Sequence, residues 1–405
     1  MLSQKSIDII KSTIPVLEVK GIEITSVFYK NLFTNHPELL NIFNHTNQQK
    51  GRQQTALANT VLAAAMYIDK LETILPVVKQ IAQKHRSLLV KPEHYPVVGE
   101  HLLGAIKEVL GDAATDEIIG AWAESYGIIA QVFIDIEKEM YNESASQEGG
   151  WSEFKEFKVI DKVKESDVIT SFYLIPTDNS LVPTFLPGQY ITIRAKVPGQ
   201  EYLLNRQYSL SDVPGKEYFR ISVKKEAEEQ QPEGIFSNYL HNFINIGDTL
   251  ELTAPAGDFT LNLDEKSPVV FISGGVGITP LMSMAKYIAN NEPNRKVEMI
   301  CASRNGKLQP FENELSSLTE QLNDYSLSFV FENPSEEDLK NQYFKKQGYI
   351  DAKWLKNNIN SVDAHYYVCG PVPFLKAIVS SLKQLNVPET NIHFEFFGPS
   401  MSLED

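Results

Sequence analysis

Three spacings of apolar residues succeed one another along the chain. From Leu2 to about Tyr141 they recur every three to four positions, as in Ala56, Leu57, Thr60, Val61 and Ala64, or Val78, Ile81, Ala82, His85 and Leu88. That is the period of helices with one buried face. After Trp151 the apolar runs shorten to segments at 168–175, 189–194, 218–224 and 248–253, rich in β-branched and aromatic residues and separated by Pro-Gly turns at 187–188 and 214–215. They predict an antiparallel sheet or barrel. From about Ser267, strand-like runs at 269–273, 297–302, 327–331, 366–369 and 392–396 alternate with helical stretches, the pattern of a parallel α/β sheet that binds ligands at its carboxyl edge. The small polar segment NESASQEGG at 142–150 reads as a linker. The expectation is therefore a multidomain chain: an all-α domain over 1–141, a linker over 142–150, an antiparallel β-barrel over 151–264 and an α/β parallel-sheet domain over 265–405.

Composition narrows the class. At ~150 residues per domain, a chain of 405 residues admits two or three domains, and the three patterns select three. Hydrophobic residues make up 42% and charged residues 22%, which excludes disorder, collagen and a membrane channel. Lys and Arg number 37 against 52 Asp and Glu, a net charge of −15 with no basic tract, so a nucleic-acid partner is not expected. The two cysteines, Cys301 and Cys369, are too far apart for a zinc cluster, a CxxC pair or a CxxCH haem attachment. Such sparse cysteine suits a reducing, cytoplasmic setting. The N-terminus carries Lys5, Asp8 and Lys11 among apolar residues and reads as an amphipathic helix, not a signal peptide. The longest uncharged stretch, 267–285, contains Gly274, Gly275, Gly277 and Pro280. It predicts a strand, a turn over 274–280 and a helix from Leu281, with no membrane span.

Several polar side chains of the helical part continue apolar faces. His85 follows Val78, Ile81 and Ala82; Gln53 precedes Ala56, Leu57 and Thr60; Tyr29 lies one heptad after Ile22, beside Ser26 and Phe33; Glu137 extends the face of Tyr126, Ile129, Ala130 and Phe133. Taken singly, each is either a satisfied core polar group or a functional one. Taken together they resemble the globin part of the bacterial flavohaemoglobins. The matching text is Phe28-Tyr29, HPELLNIFN at 36–44 with Phe43, QQTALANTV at 53–61, IAQKH at 81–85, KPEHYPVVGEHLL at 91–103, AWAESYG at 121–127 and EKEMY at 137–141. The resemblance implies that His85 is the proximal ligand of a b-type haem iron, which leaves the opposite position open for a diatomic gas. It places Phe28, Phe43, Leu57 and Val98 about the haem, with Tyr29 and Gln53 facing bound oxygen as hydrogen-bonding groups. Tyr95 and Glu137 would hydrogen-bond the proximal imidazole and raise its basicity. Lys84 would lie near a haem propionate or else on the surface.

Beyond Trp151, RQYS (Arg206, Gln207, Tyr208, Ser209), preceded by PGQY ending at Tyr190, resembles the flavin site of ferredoxin–NADP reductase-like proteins. Arginine offers a fork to the FAD pyrophosphate, and the tyrosine ring a face to the isoalloxazine. Gly234 and Ser237 open a helix whose free N–H groups suit phosphate. Gly274, Gly275, Val276, Gly277, Ile278 and Thr279 follow a buried strand and precede a helix, a context for NAD(P)H pyrophosphate, although the GxGxxG fingerprint is absent. Cys369, Gly370 and Pro371 match the family's second nicotinamide loop, where Cys369 is equally a small buried apolar residue. HFEFFGP at 393–399 resembles the family's terminal strand and brings Glu395, Phe396, Phe397, Gly398 and Pro399 beside the flavin. Many relatives carry Cys where Phe396 stands. Ser303 and Arg304 suit a 2′-phosphate and so NADPH, or else form a surface turn.

The resemblance as a whole implies a nitric oxide dioxygenase that converts NO and O2 to nitrate. NAD(P)H delivers two electrons at once and haem takes one, so FAD stands between them. An oxygen-binding or sensing globin leaves the fused reductase unexplained, and a general haem NAD(P)H oxidase or reductase describes side activities. NO, O2 and NAD(P)H are the expected partners, with no obligate protein partner.

Overall fold

The computed structural model describes residues 2–43, 48, 51–226, 234–359, 361 and 363–398. Six α-helices of the described residues build the first domain: α1 (Gln4–Ser12), α2 (Ile14–Asn35), α3 (Arg52–Met66), α4 (Leu75–Ser87), α5 (His94–Leu110) and α6 (Asp116–Ser146). Helix starts follow local chemistry. Ser3 accepts a hydrogen bond from the Ser6 amide at the head of α1, and Thr115 one from the Ile118 amide at the head of α6, satisfying amides that have no partner in the helix. Helix α2 packs against α3 and α5 through Ile24, Phe28 and Leu32, with Leu102, Ala105 and Ile106 of α5 in the same core.

Two readings of this domain need correction. Ile22 is 56% exposed and Ser26 is exposed, so the buried face of α2 is Leu17, Gly21, Ile24, Thr25, Phe28, Tyr29 and Leu32. A heptad step falls about 20° short of two full turns, and the core here is reached by three- and four-residue steps. Helix α6 also continues to Ser146, five residues into the expected linker. Glu, Ser and Ala tolerate a solvated helix, and the Ser144 hydroxyl bonds back to the Met140 carbonyl.

The second domain is a six-stranded antiparallel sheet of β1 (Lys155–Lys164), β2 (Ile169–Pro176), β3 (Tyr190–Ala195), β4 (Leu204–Ser209), β5 (Phe219–Lys224) and β6 (Thr249–Leu252), in the order β4-β3-β6-β1-β2-β5. A bridge between Leu210 and Ile221 joins the two edges, so the sheet curls into a barrel. Its interior holds Phe157, Phe172, Ile191, Ile193 and Ile221, and helix α7 (Ile235–Phe243) contributes Phe236 and Leu240.

The third domain is a parallel sheet of β7 (Val269–Gly274), β8 (Val297–Ser303), β9 (Tyr325–Phe331), β10 (Phe344–Gln347), β11 (His365–Cys369) and β12 (Ile392–Glu395), ordered β10-β9-β8-β7-β11-β12. Every residue of β7 is buried, because helices cover both faces. On one side lie α8 (Ile278–Asn291) and α9 (Glu312–Gln321), on the other α10 (Ala352–Asn358) and α11 (Val372–Gln384). The chain moves outward from β7 to β10 and then returns to β11 beside β7. The crevice at the carboxyl ends of β7 and β11 is the switch point where ligands bind in such sheets. The uncharged 267–285 stretch is strand and helix as expected, but α8 begins at Ile278 and not at Leu281. Pro280 falls in its first turn, where an amide hydrogen has no helical partner to lose. No helix among the described residues is long and apolar enough to cross a membrane.

Candidate functional site

Helices α4, α5 and α6 bring together three residues that are 10 and 42 positions apart in sequence. The His85 Nδ1 atom lies 2.8 Å from Glu137 Oε1 and 3.2 Å from the Tyr95 hydroxyl, and Tyr95 donates to the same carboxylate oxygen at 2.6 Å. Glu137 is 2% exposed. An imidazole whose Nδ1–H is committed to a carboxylate presents Nε2 as a lone-pair donor, the arrangement of a metal-ligating histidine. Tyr95 is itself fixed, since its carbonyl accepts from the Tyr126 hydroxyl at 2.6 Å. Burial, reinforced by Glu137, pushes the Tyr95 phenol far up, so it stays a donor.

In α2, Tyr29 is buried, and burial raises its phenol well above the usual range. Its ring touches Phe28, Phe33 and Phe43, with centroids 4.8, 5.7 and 5.9 Å away. Phe28 lies in the core behind it, while Phe43, Leu57 and Val98 are half-buried at the core's edge. Gln53 Oε1 is buried and has no hydrogen-bond partner among the described residues. An orphaned buried acceptor costs about 1–3 kcal/mol, and a polar guest would relieve it. The residues present therefore fit a haem held by His85.

The residues flanking His85 do not stay in the helical domain. Lys84 Nζ donates to the Gly398 carbonyl at 2.7 Å, Gln207 Nε2 donates to Ser87 Oγ at 2.7 Å, and the Arg86 guanidinium, 4% exposed, donates to the Ala254 and Pro255 carbonyls. Helix α3 joins them, with Arg52 5.9 Å over the Phe396 ring. The His85 helix thus sits directly on the barrel and on the segment that follows β12. Arg86 and Ser87 had no signal in the sequence, because their partners are more than 100 residues away. Lys84 is not a surface lysine. Burial lowers its pKa, against the pull of Glu395 and Asp258. Burial in turn pushes Glu395 up to about 8, Lys84 opposing and Asp258 adding to the rise. Glu395 Oε2 is buried without a partner among the described residues. A flavin edge would supply the missing donor.

The barrel gathers the RQYS residues near the head of α7. Arg206 lies half-buried with its guanidinium 6.0 Å over Phe236, in the first turn of that helix. Its Nη1 donates to the Asn205 carbonyl, and no carboxylate among the described residues pairs with it. A guanidinium and a helix N-terminus on one spot fit a pyrophosphate. Gly234 stands at the cap, where a Cβ would lie 2.6 Å from Ser237 Oγ. Tyr208 packs against Phe236 with centroids 6.3 Å apart, and Tyr190 and Ser209 are paired across β3 and β4. Gln207 points instead to Ser87. Phe396, Phe397 and Gly398 follow β12, with Phe397 45% exposed. Pro399 lies outside the described residues.

At the switch point, Gly274 ends β7, Gly275, Val276 and Gly277 form one 3-10 turn, and Ile278 and Thr279 open α8. Cys369 ends β11, fully buried, and Gly370 and Pro371 follow. The two loops touch: a Cβ on Gly277 would lie 2.2 Å from the Cys369 carbonyl oxygen. Only glycine permits that approach, which aligns both loops at one crevice. Ser303 ends the neighbouring β8 and Arg304 follows it, the Ser303 hydroxyl donating to the Asn305 carbonyl at 2.9 Å.

The globin family model matches residues 26–133, the oxidoreductase FAD-binding domain 156–261 and the oxidoreductase NAD-binding domain 271–380. A flavohemoprotein of Bacillus cereus is 54% identical over 404 residues, covering 100% of both chains. The structure of a flavohemoglobin from Malassezia yamatoensis with bound FAD and heme aligns with a TM-score of 0.85 at 29% identity, covering 98% of this chain and 100% of that one. The FAD/NAD-binding domain of a nitric oxide dioxygenase from Vibrio cholerae aligns with a TM-score of 0.56 at 35% identity, over 61% of this chain and 100% of that one. With a helical globin domain, an antiparallel flavin-type barrel and a parallel nicotinamide-type sheet in one chain, all matched end to end, this protein belongs to the flavohaemoprotein family.

Proposed function

We propose that the chain is a nitric oxide dioxygenase, which turns two NO and two O2 into two nitrate ions for each NAD(P)H oxidised. The observation that carries this reading is the docking of the His85 helix on the reductase. Lys84, Arg86 and Ser87, the near neighbours of His85, bond the barrel and the segment after β12. An oxygen carrier or sensor has no use for such a junction, whereas an oxidant that must be re-reduced on every turnover does. The Malassezia relative with bound FAD and heme and the Vibrio dioxygenase support the same assignment.

When bound, haem supplies a one-electron iron site for a diatomic gas and FAD converts a two-electron hydride into single electrons. The chain does the rest. His85 holds the iron, and Glu137, with Tyr95, keeps the imidazole in one tautomer and electron-rich. Tyr29 and Gln53 offer hydrogen-bonding groups on the distal side, within a wall that Leu57, Phe43 and Val98 keep apolar. Arg206 and the head of α7, with Gly234 and Ser237, hold the FAD pyrophosphate. Tyr190, Tyr208 and Ser209 would line the flavin ring, with Glu395 and residues 396–398 beside it. The Gly274–Thr279 loop and Cys369–Pro371 hold the nicotinamide nucleotide, and Ser303 and Arg304 meet its ribose end. The helical domain accordingly extends through α6 to Ser146, and a short 147–150 junction leads to the domains at 151–264 and 265–405.

The test is NO consumption by the holoprotein under air with NAD(P)H. Tyr29→Phe and Gln53→Ala are expected to cut the rate at least tenfold while leaving NAD(P)H-driven flavin reduction intact. Unchanged NO consumption in both would overturn the distal assignment.

A further inference from the structure

A second charged cluster lies away from the haem side, where the barrel meets the nicotinamide sheet. Two of its members, Asp212 and Arg220, come from the barrel, and two, Lys286 on α8 and Glu314 on α9, from the sheet domain. Two ion pairs cross the interface. Arg220 Nη1 lies 2.7 Å from Glu314 Oε1, and Lys286 Nζ lies 2.5 Å from Asp212 Oδ1. Two further contacts close the square: Lys286 to Glu314 at 2.8 Å and Arg220 to Asp212 at 3.9 Å. Arg220 and Asp212 are almost fully buried. The Tyr218 hydroxyl donates to Asp212 Oδ2 at 3.0 Å, and Ser283 of α8 donates to the Asp212 carbonyl at 2.7 Å.

Such a square has one favourable register. A slide of one domain along the other brings Arg220 toward Lys286 in one direction and Asp212 toward Glu314 in the other, and the like charges then facing each other reject either register. The square also has short lines to both redox sites. Asp212 lies three residues beyond Ser209 of the flavin site, and Lys286 and Ser283 lie one to two turns beyond the Ile278–Thr279 start of α8. Buried ion pairs are weak sources of stability and better sources of geometric specificity. Hydride transfer is the step that needs such geometry, since a misplacement of about 1 Å can cost on the order of a hundredfold in rate.

We propose that Asp212 and Lys286 are positioning residues: their pairing across the interface registers the nicotinamide loop against the flavin face and so sets the rate of hydride transfer without touching either group. The inference rests on the NAD(P)H-to-FAD reading above. In the step concerned a hydride, one proton with two electrons, leaves the nicotinamide for the flavin, so the nicotinamide is oxidised and the flavin reduced.

The test uses full-length holoprotein mixed anaerobically with NADPH or its 4-deuterated form. The paired variant Asp212→Asn/Lys286→Met removes both charges, leaves none unpaired and keeps Arg220 on Glu314. Flavin reduction should slow tenfold or more, with a larger deuterium isotope effect and an NADPH dissociation constant within threefold of the parent. Amides of residues 278–286 should exchange faster in the same variant even without added nucleotide. Lys286→Arg, which keeps the charge, should restore the rate to within threefold. If the parent's flavin is reduced but the paired variant matches it in rate, isotope effect and exchange, the positioning role is overturned and the function stands. If NAD(P)H does not reduce the parent's flavin, the functional reading itself falls, and this inference with it.

Discussion

Replacing Glu137 with Gln tests the proximal side quantitatively. In the parent, one buried carboxylate oxygen accepts from His85 Nδ1 at 2.8 Å and from Tyr95 at 2.6 Å. The amide has nearly the same shape and can still accept, so packing survives while the charge goes. Hydrogen bonds to an ionised partner contribute about 1.5–3 kcal/mol and neutral ones about 0.5–1.5 kcal/mol. The bond to the imidazole therefore weakens by about 1–1.5 kcal/mol. Its N–H is more acidic when the iron is ferric, so most of that loss falls on the oxidised state. A tenfold change in a one-electron equilibrium is about 59 mV, or about 1.4 kcal/mol, which puts the expected rise in haem midpoint potential at about 40–60 mV. A spectroelectrochemical titration of the Soret band reads it directly, with the flavin potential as an internal control. A haem potential that stays within 10 mV of the parent, or falls, would refute the claim that Glu137 tunes the iron through His85.

Two further perturbations probe other parts of the molecule. Gly277→Ala drives a Cβ to 2.2 Å from the Cys369 carbonyl; the strain should cost about 1–3 kcal/mol of stability and raise the KM for NAD(P)H at least tenfold, whereas a KM within twofold would contradict the touching-loop arrangement. Glu395, pushed up to about 8 by burial, takes up a proton on folding, because its unfolded value is near 4.3. Stability should fall as pH rises between these two values and level off above about 8. Glu395→Gln removes that loss, so its melting temperature relative to the parent should climb from pH 6 to pH 8, corresponding to on the order of 1–2 kcal/mol. A pH-independent difference would refute the buried-carboxyl account.

The parts of the fold that the sequence made legible are those with a short period. Helices with one apolar face, strands between Pro-Gly turns, and the buried β7 run followed by glycines all announce themselves locally. Strand β1 does not: it carries four lysines and two acids, none of them buried, and buries only Phe157 and Val159. The start of α8 is obscured because proline reads as a breaker until its place in the first turn is known. His85, Tyr95 and Glu137 were legible through resemblance and through polar residues on apolar faces, and their geometry joins all three. What local pattern could not reveal is how the domains meet. Arg86, Ser87, Asp212 and Lys286 look like ordinary surface residues in sequence, and their partners lie tens to hundreds of positions away. Glu395 shows the same limit, since a lone carboxylate between phenylalanines carries no sign of the Lys84 and Asp258 charges near it.

The central claim, that electrons from NAD(P)H pass through this chain to an NO-consuming haem, is tested most directly by stoichiometry. The holoprotein is reduced anaerobically with a limiting, measured amount of NADPH or NADH and then exposed to NO and air, with NO followed by electrode and nitrate by ion chromatography. The account predicts two NO lost and two nitrate formed for each nicotinamide oxidised, and no NO loss without the nucleotide. NO loss that proceeds without NAD(P)H, or that leaves no nitrate, would contradict it.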